Sequence, residues 1–168
     1  MTDMSNDPND LTDAIAYAQD AFDGTTTFGQ PTYEAGIISE DDWTAQLTKG
    51  CQLIDGARTI RDHNGHYTAV IELCFGAIER SLQAWLLSQT GDEPEDLQDH
   101  ETPYQRSDDA GLFGGSGKEL GFLYRNNRTQ SYYANRTPTE EQADAMFELS
   151  QAVHGYVVDL IDQGHCHC

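Results

Sequence analysis

Lysine is nearly missing from this chain: of its 9 basic residues only Lys49 and Lys118 are lysines, and the rest are arginines. Long apolar runs are missing as well. No segment approaches the ~20 consecutive apolar residues that a membrane helix requires. The opening stretch, Met1 to Ala14, has neither the basic region nor the apolar run of a secretory signal. No stretch alternates apolar and polar residues with period two for long enough to make a strand, which leaves an all-α architecture. Cysteine is sparse. Cys51 and Cys74 fall inside apolar helical patterns, and only Cys166 and Cys168 sit together. That usage excludes a secreted disulfide framework, so the expected setting is a soluble, cytoplasmic protein with no membrane partner.

What the chain has in excess is acid. The 29 Asp and Glu residues set against 9 basic ones give a formal net charge of -20, spread from Asp3 to Asp162. With the strongly hydrated lysine stem almost excluded and arginine kept, the pattern is that of a halophilic protein. In molar salt the Debye length falls to about 3 Å, so surface carboxylates repel one another weakly while keeping the protein soluble. Screening also weakens the usual objection to an acidic protein meeting nucleic acid, because a few local arginines can then decide the contact.

The 168 residues suit one domain able to bury about 70% of the surface it exposes when unfolded. Residues 1–38 are rich in Asp, Asn, Thr, Gly and Pro and read as an acidic, poorly ordered arm with one short helix at Leu11 to Phe22. Residues 39–163 read as a four- to five-helix up-and-down bundle, and 164–168 as a Cys/His tail. Ser39-Glu40-Asp41-Asp42 has the form of a capping box, with Trp43, Leu47, Cys51 and Ile54 striping the helix that follows. The strongest stripe is Tyr67, Val70, Ile71, Cys74, Phe75, Ile78, Leu82, Trp85 and Leu86, which should form the centre of the core. Residues 90–117 are expected to form a long connection with one turn of helix, and a shorter helix covers Lys118 to Tyr133. Thr137-Pro138-Thr139-Glu140 reads as a second capping box, ahead of a last helix striped by Ala143, Met146, Phe147, Val153, Val157, Leu160 and Ile161.

Some segments resemble sites without meeting their requirements. Gly111 to Glu119 holds a Gly117-Lys118 pair, as a phosphate loop does, but Leu112 replaces the first glycine and Glu119 the magnesium-binding hydroxyl. It is a helix-entry loop. His165, Cys166, His167 and Cys168 are zinc-type ligands, yet four consecutive residues do not wrap one ion tetrahedrally. No cofactor is expected. His154 lies beside the last helix's apolar face and is read as a boundary histidine.

The chemistry concentrates in Leu123 to Tyr133, where two of the chain's seven arginines, two Asn, a Gln and three Tyr gather. On an α-helix Arg125, Arg128 and Tyr132 would share one face, offering cationic donors to a phosphate and phenols to a base.

At this segment the sequence resembles the HEPN family over roughly residues 41–163. The resemblance rests on the helix Tyr67 to Leu82, Gly111-Leu112-Phe113, Leu120-Gly-Phe-Leu-Tyr-Arg125, the Arg/Tyr segment and a final helix rich in Glu and Ala. It implies a helical-bundle homodimer of toxin–antitoxin type that binds RNA, a nucleotide or a nucleotidyltransferase partner. The family hallmark pairs an arginine and a polar residue with a histidine four to six residues on. Here Arg125-Asn126 stand first, and Gln130 or Tyr132 takes the histidine's place. Neither is a ready general base, since Gln does not titrate and Tyr has a pKa near 10. Catalytic roles carried over from the hallmark fall on Arg125, Asn126 and Tyr132; binding roles fall on Arg125, Arg128, Gln130, Tyr132 and Tyr133. Tyr132 or Tyr133 stands where such a partner adds adenylate. The alternatives are a metal-independent endoribonuclease with a substitute base, drawn from His154 or a tyrosine, and a non-catalytic structural homodimer. As a surface group Arg128 should contribute little to folding, so its replacement by Ala is expected to leave stability nearly unmoved and cost binding about 1 to 3 kcal/mol.

Overall fold

The computed structural model describes residues 8–23, 34, 37, 41–128 and 137–161, and among these every regular element is helical. The chain divides between Glu34 and Ala35, slightly before the boundary placed from composition. The first unit carries α1, Pro8–Asp23, which contains the helix expected at Leu11 to Phe22. The second carries α2 (Asp42–Asn64), α3 (Tyr67–Gln89), α4 (Thr102–Asp109), α5 (Gly117–Leu123) and α6 (Glu140–Leu160), with a π-helical turn, Tyr124–Arg128, continuing α5.

α3 is central because it is apolar almost all round. Val70, Cys74, Phe75, Ala77, Ile78, Leu82, Ala84 and Leu86 are buried, so the helix has core on several sides. It packs against both α2 and α6, which also touch each other, while α4 and the π turn lie on a further side. From α2 come Leu47, Ile54 and Ala57; from α6 come Ala143, Met146, Phe147, Val153 and Val157. Burying each large side chain is worth about 1.5–3 kcal/mol. Gly50 sets how closely these helices meet, because a Cβ there would lie 3.3 Å from both the Ala77 carbonyl and Ser81 Oγ, and 3.4 Å from His154 Nδ1.

Both expected capping boxes shift. α2 starts at Asp42 with Asp41 as N-cap and no side-chain cap bond; Ser39, the expected cap, lies outside the described residues. α6 is capped by Thr139 rather than Thr137. Gln142 N–H donates to Thr139 Oγ1 at 3.2 Å, and the Gln142 side chain accepts from the Thr139 N–H at 3.0 Å. Pro138 therefore precedes the cap instead of opening the helix. α2 is closed by Gly65, which at φ 58 takes the left-handed C-cap conformation that glycine adopts without Cβ strain.

The connection after α3 holds more structure than one turn. Pro94–Leu97 and Gly114–Ser116 are 3-10 turns, and α4 lies between them. Pro103 near the start of α4 costs no hydrogen bond, and Asp99 accepts from the backbone N–H groups of Glu101 and Thr102, so its orphan donors are met. Tyr104 then anchors α4 in the core.

Candidate functional site

α3 carries two acids seven residues apart, Glu72 and Glu79, which two helical turns place on one face. Both meet Arg128 at the end of the π turn. Arg128 Nη1 donates to Glu79 Oε1 at 2.5 Å, and its Nε lies 3.6 Å from Glu72 Oε2. From the segment before α4, His100 Nδ1 sits 2.9 Å from the other Glu79 oxygen. The Glu79 side chain is only 9% exposed and that of Arg128 17%, so this is an ion pair withdrawn from solvent. Burial pushes Glu72 up from the ordinary carboxylate range, against the pull of Arg128. Burial also works against the Arg128 charge, but Glu79 and Glu72 outweigh it and hold the guanidinium above its ordinary pKa.

An aromatic wall adjoins the pair. Tyr124 stacks on Tyr104 with centroids 4.5 Å apart and meets Phe75 edge-on at 6.0 Å, while Arg128 Cζ lies 5.7 Å from the Tyr124 ring centroid. The Tyr104 hydroxyl is buried and has no hydrogen-bond partner among the described residues. Burial first, and Glu79 second, raise its pKa well above 10, so it stays neutral. An orphaned hydroxyl costs free energy that a phenyl ring does not. Tyr104→Phe is therefore expected to raise stability by about 1 kcal/mol, read as a higher melting temperature. An unchanged or lower melting temperature would mean that water satisfies the hydroxyl.

Arg125 goes elsewhere. Its Nη1 lies 3.5 Å from Glu101 Oε1, and its side chain is 48% exposed. With Lys118, Asp108, Asp109, Gly117 and Gly121 it lines a cleft of about 250 Å³ between α4 and α5. A three-residue step along an α-helix nearly returns to the same face, but the wider π turn carries less rotation per residue. Arg125 and Arg128 therefore part: the first lines an open cleft, the second closes onto α3. Asn126 is half-buried. Gln130, Tyr132 and Tyr133 lie outside the described residues.

His154 is on another side of the molecule. It is 4% exposed, and its Nδ1 is 2.9 Å from Ser81 Oγ. Because Ser81 Oγ donates to the Ala77 carbonyl at 2.8 Å, it accepts from the His154 ring N–H. Burial lowers the His154 pKa. Ser81 and Glu79 are two residues apart on α3, about 200° of rotation, so His154 and Arg128 meet opposite faces of that helix. His154 is thus a core histidine rather than one at the boundary.

Residues 6–168 match the model of a family described as a domain of unknown function, DUF8154. The chain belongs to this family. No curated protein and no solved structure matches it. In this DUF8154 chain, Glu72, Glu79, Tyr104 and His100 were not singled out from sequence, although the two acids inside the strongest apolar stripe were a signal. Among the described residues no group of three or more His, Cys, Asp or Glu is placed to hold a metal ion, and no helix is long and apolar enough to cross a membrane. The tail residues His165, Cys166, His167 and Cys168 lie outside the described residues. Cys74 is a buried free thiol that burial pushes up to about 11, whereas Cys51 takes part in a disulfide.

Proposed function

We propose that this is a HEPN-type, toxin–antitoxin-like protein whose Arg125 face binds RNA through its phosphates. The observation that carries this reading is the separation of the two arginines. Arg128 is committed to Glu79 and Glu72 and braces the π turn, while Arg125, 3.5 Å from Glu101, stays half-exposed beside Lys118 in a cleft that Asp108 and Asp109 also line. Arg128 is then a positioning residue. It fixes the point on α3 from which Gln130, Tyr132 and Tyr133 follow in sequence. Those residues supply stacking and hydrogen bonding to bases, or an acceptor for a modifying nucleotidyltransferase, and a homodimer presents the face twice.

Fluorescence anisotropy with a labelled single-stranded RNA in molar KCl tests the proposal. Arg125→Ala should weaken binding about tenfold, the loss of one charge-assisted contact, with no change in melting temperature. Equal affinity of the two proteins, or none in the wild type, would remove the reading.

One observation favours a second reading, an endoribonuclease. His100 is oriented by the buried Glu79 carboxylate through Nδ1, which leaves Nε2 as the outward nitrogen of an exposed ring. An imidazole oriented in this way is suited to take the 2′-hydroxyl proton. RNA cleavage by the wild type that is abolished in His100→Ala would establish it, and equal cleavage by both proteins would reject it.

A further inference from the structure

A second arginine site lies across Glu79 from Arg128. Five of the six described arginines have a carboxylate oxygen at 2.5–3.5 Å: Arg58 with Asp55, Arg61 with Asp62, Arg106 with Asp92, Arg125 with Glu101 and Arg128 with Glu79. Arg80 has none among the described residues. In a chain of net charge -20, that exception calls for a physical cause.

The cause is the way Arg80 is held. Its Nη1 donates to two neutral amide oxygens, Gln46 Oε1 at 3.1 Å from α2 and Gln83 Oε1 at 2.9 Å from its own helix. Gln83 is itself oriented, because its Nε2 donates to the Leu97 carbonyl at 3.0 Å. These contacts fix the guanidinium without neutralising it. They occupy one nitrogen. Nε and Nη2, the edge suited to two parallel bonds with an oxyanion, have no acceptor among the described residues.

Arg80 lines a cleft of about 170 Å³ together with Gln46, Gln83, Glu79, Asp99 and His100. Its two acids are already engaged. Glu79 is held by Arg128 and His100. Asp99 accepts from the N–H groups of Glu101 and Thr102 and from the Thr102 hydroxyl, which hold its pKa low. An incoming anion thus meets a pre-oriented guanidinium whose Nε–Nη2 edge no described carboxylate occupies, with amide groups, an imidazole and the ionised but hydrogen-bonded Asp99 around it.

We infer that this cleft binds a small oxyanion, a phosphate or carboxylate group, on the free edge of Arg80. The site is separate from Arg125 and does not depend on RNA binding there.

Line broadening of inorganic phosphate (³¹P) and of ¹³C-acetate, titrated against the protein in molar KCl, tests the inference. The variants are R80Q, Q46E and R125Q, each checked by circular dichroism. Q46E keeps the shape of the glutamine and its hydrogen bond but sets a carboxylate against Arg80, so it tests the charge even where R80Q disturbs packing. Saturable binding is expected in the wild type and R125Q. It should be weakened at least tenfold, about 1.4 kcal/mol, in R80Q and Q46E. Saturation by phosphate alone assigns a phosphate group, by acetate alone a carboxylate, and by both a general oxyanion site. No saturable binding in the wild type, or binding retained in Q46E, overturns the inference. Loss in R125Q alone does so too, and moves the anion to the α4–α5 cleft.

Discussion

Arg128→Ala is expected to destabilise the fold by about 3 kcal/mol, the lower end of the cost of removing one partner from a buried ion pair. The loss comes less from the missing attraction than from what stays behind. Glu79 is 9% exposed at its side chain and would keep a charge facing core atoms. His100 still reaches its other oxygen, which is why the lower end of the range applies. Against a total stability of 5–15 kcal/mol, such a loss lowers the melting temperature by roughly 10 °C. Adding Glu79→Gln to the alanine variant should recover part of it, since a neutral amide costs less to bury, and the double-mutant cycle gives the coupling directly. A melting temperature unmoved by Arg128→Ala would mean that the ion pair is open to solvent. The sequence had placed Arg128 on the surface and forecast that null result; the burial of the pair reverses the expectation.

The reversal shows which parts of this molecule can be read from sequence. α3 was legible because its apolar residues recur over many turns, and a helix carrying that stripe must lie where other helices cover it. The start of α6 was legible only to within two residues: Thr137 and Thr139 are both good caps, and the choice between them fell to Gln142, whose side chain closes the box on Thr139. α4 escaped because its eight residues bury little beyond Pro103, Tyr104 and Ser107, too few to produce a stripe. The polar centre escaped for a different reason. Glu79 and Arg128 are 49 residues apart, and Glu79 is one of 29 acids. The one local signal is that Glu72 and Glu79 interrupt the strongest apolar stripe, and it does not say which cation will meet them. The α-helical spacing of Arg125 and Arg128 put them on one face, and the π turn, which has no signature in composition, separated them.

The other large effect concerns salt. The 29 acidic residues exceed the 9 basic ones by 20, so the carboxylates cannot all be matched one to one by cations, and folding holds many of them close together. At 1 M salt the Debye length is about 3 Å, shorter than typical spacings between surface charges; at 0.1 M it is about 10 Å, long enough for each carboxylate to repel several others. Unfolding relieves that repulsion by letting the charges move apart, whereas the Glu79–Arg128 pair, shielded from solvent, responds little to added ions. Dilution from molar KCl to about 0.1 M or below is therefore expected to abolish the helical circular dichroism signal. Two further arms identify the cause. Mild acidification at low salt, toward the ordinary carboxylate pKa values near 4, should restore part of the signal by removing charge without adding ions. Matching the ionic strength with potassium chloride or potassium sulfate should restore it equally if screening is responsible, while a marked advantage for sulfate would point to strengthened apolar burial instead. A full helical signal in dilute buffer at neutral pH would show that the acid coat is not what makes this fold depend on salt.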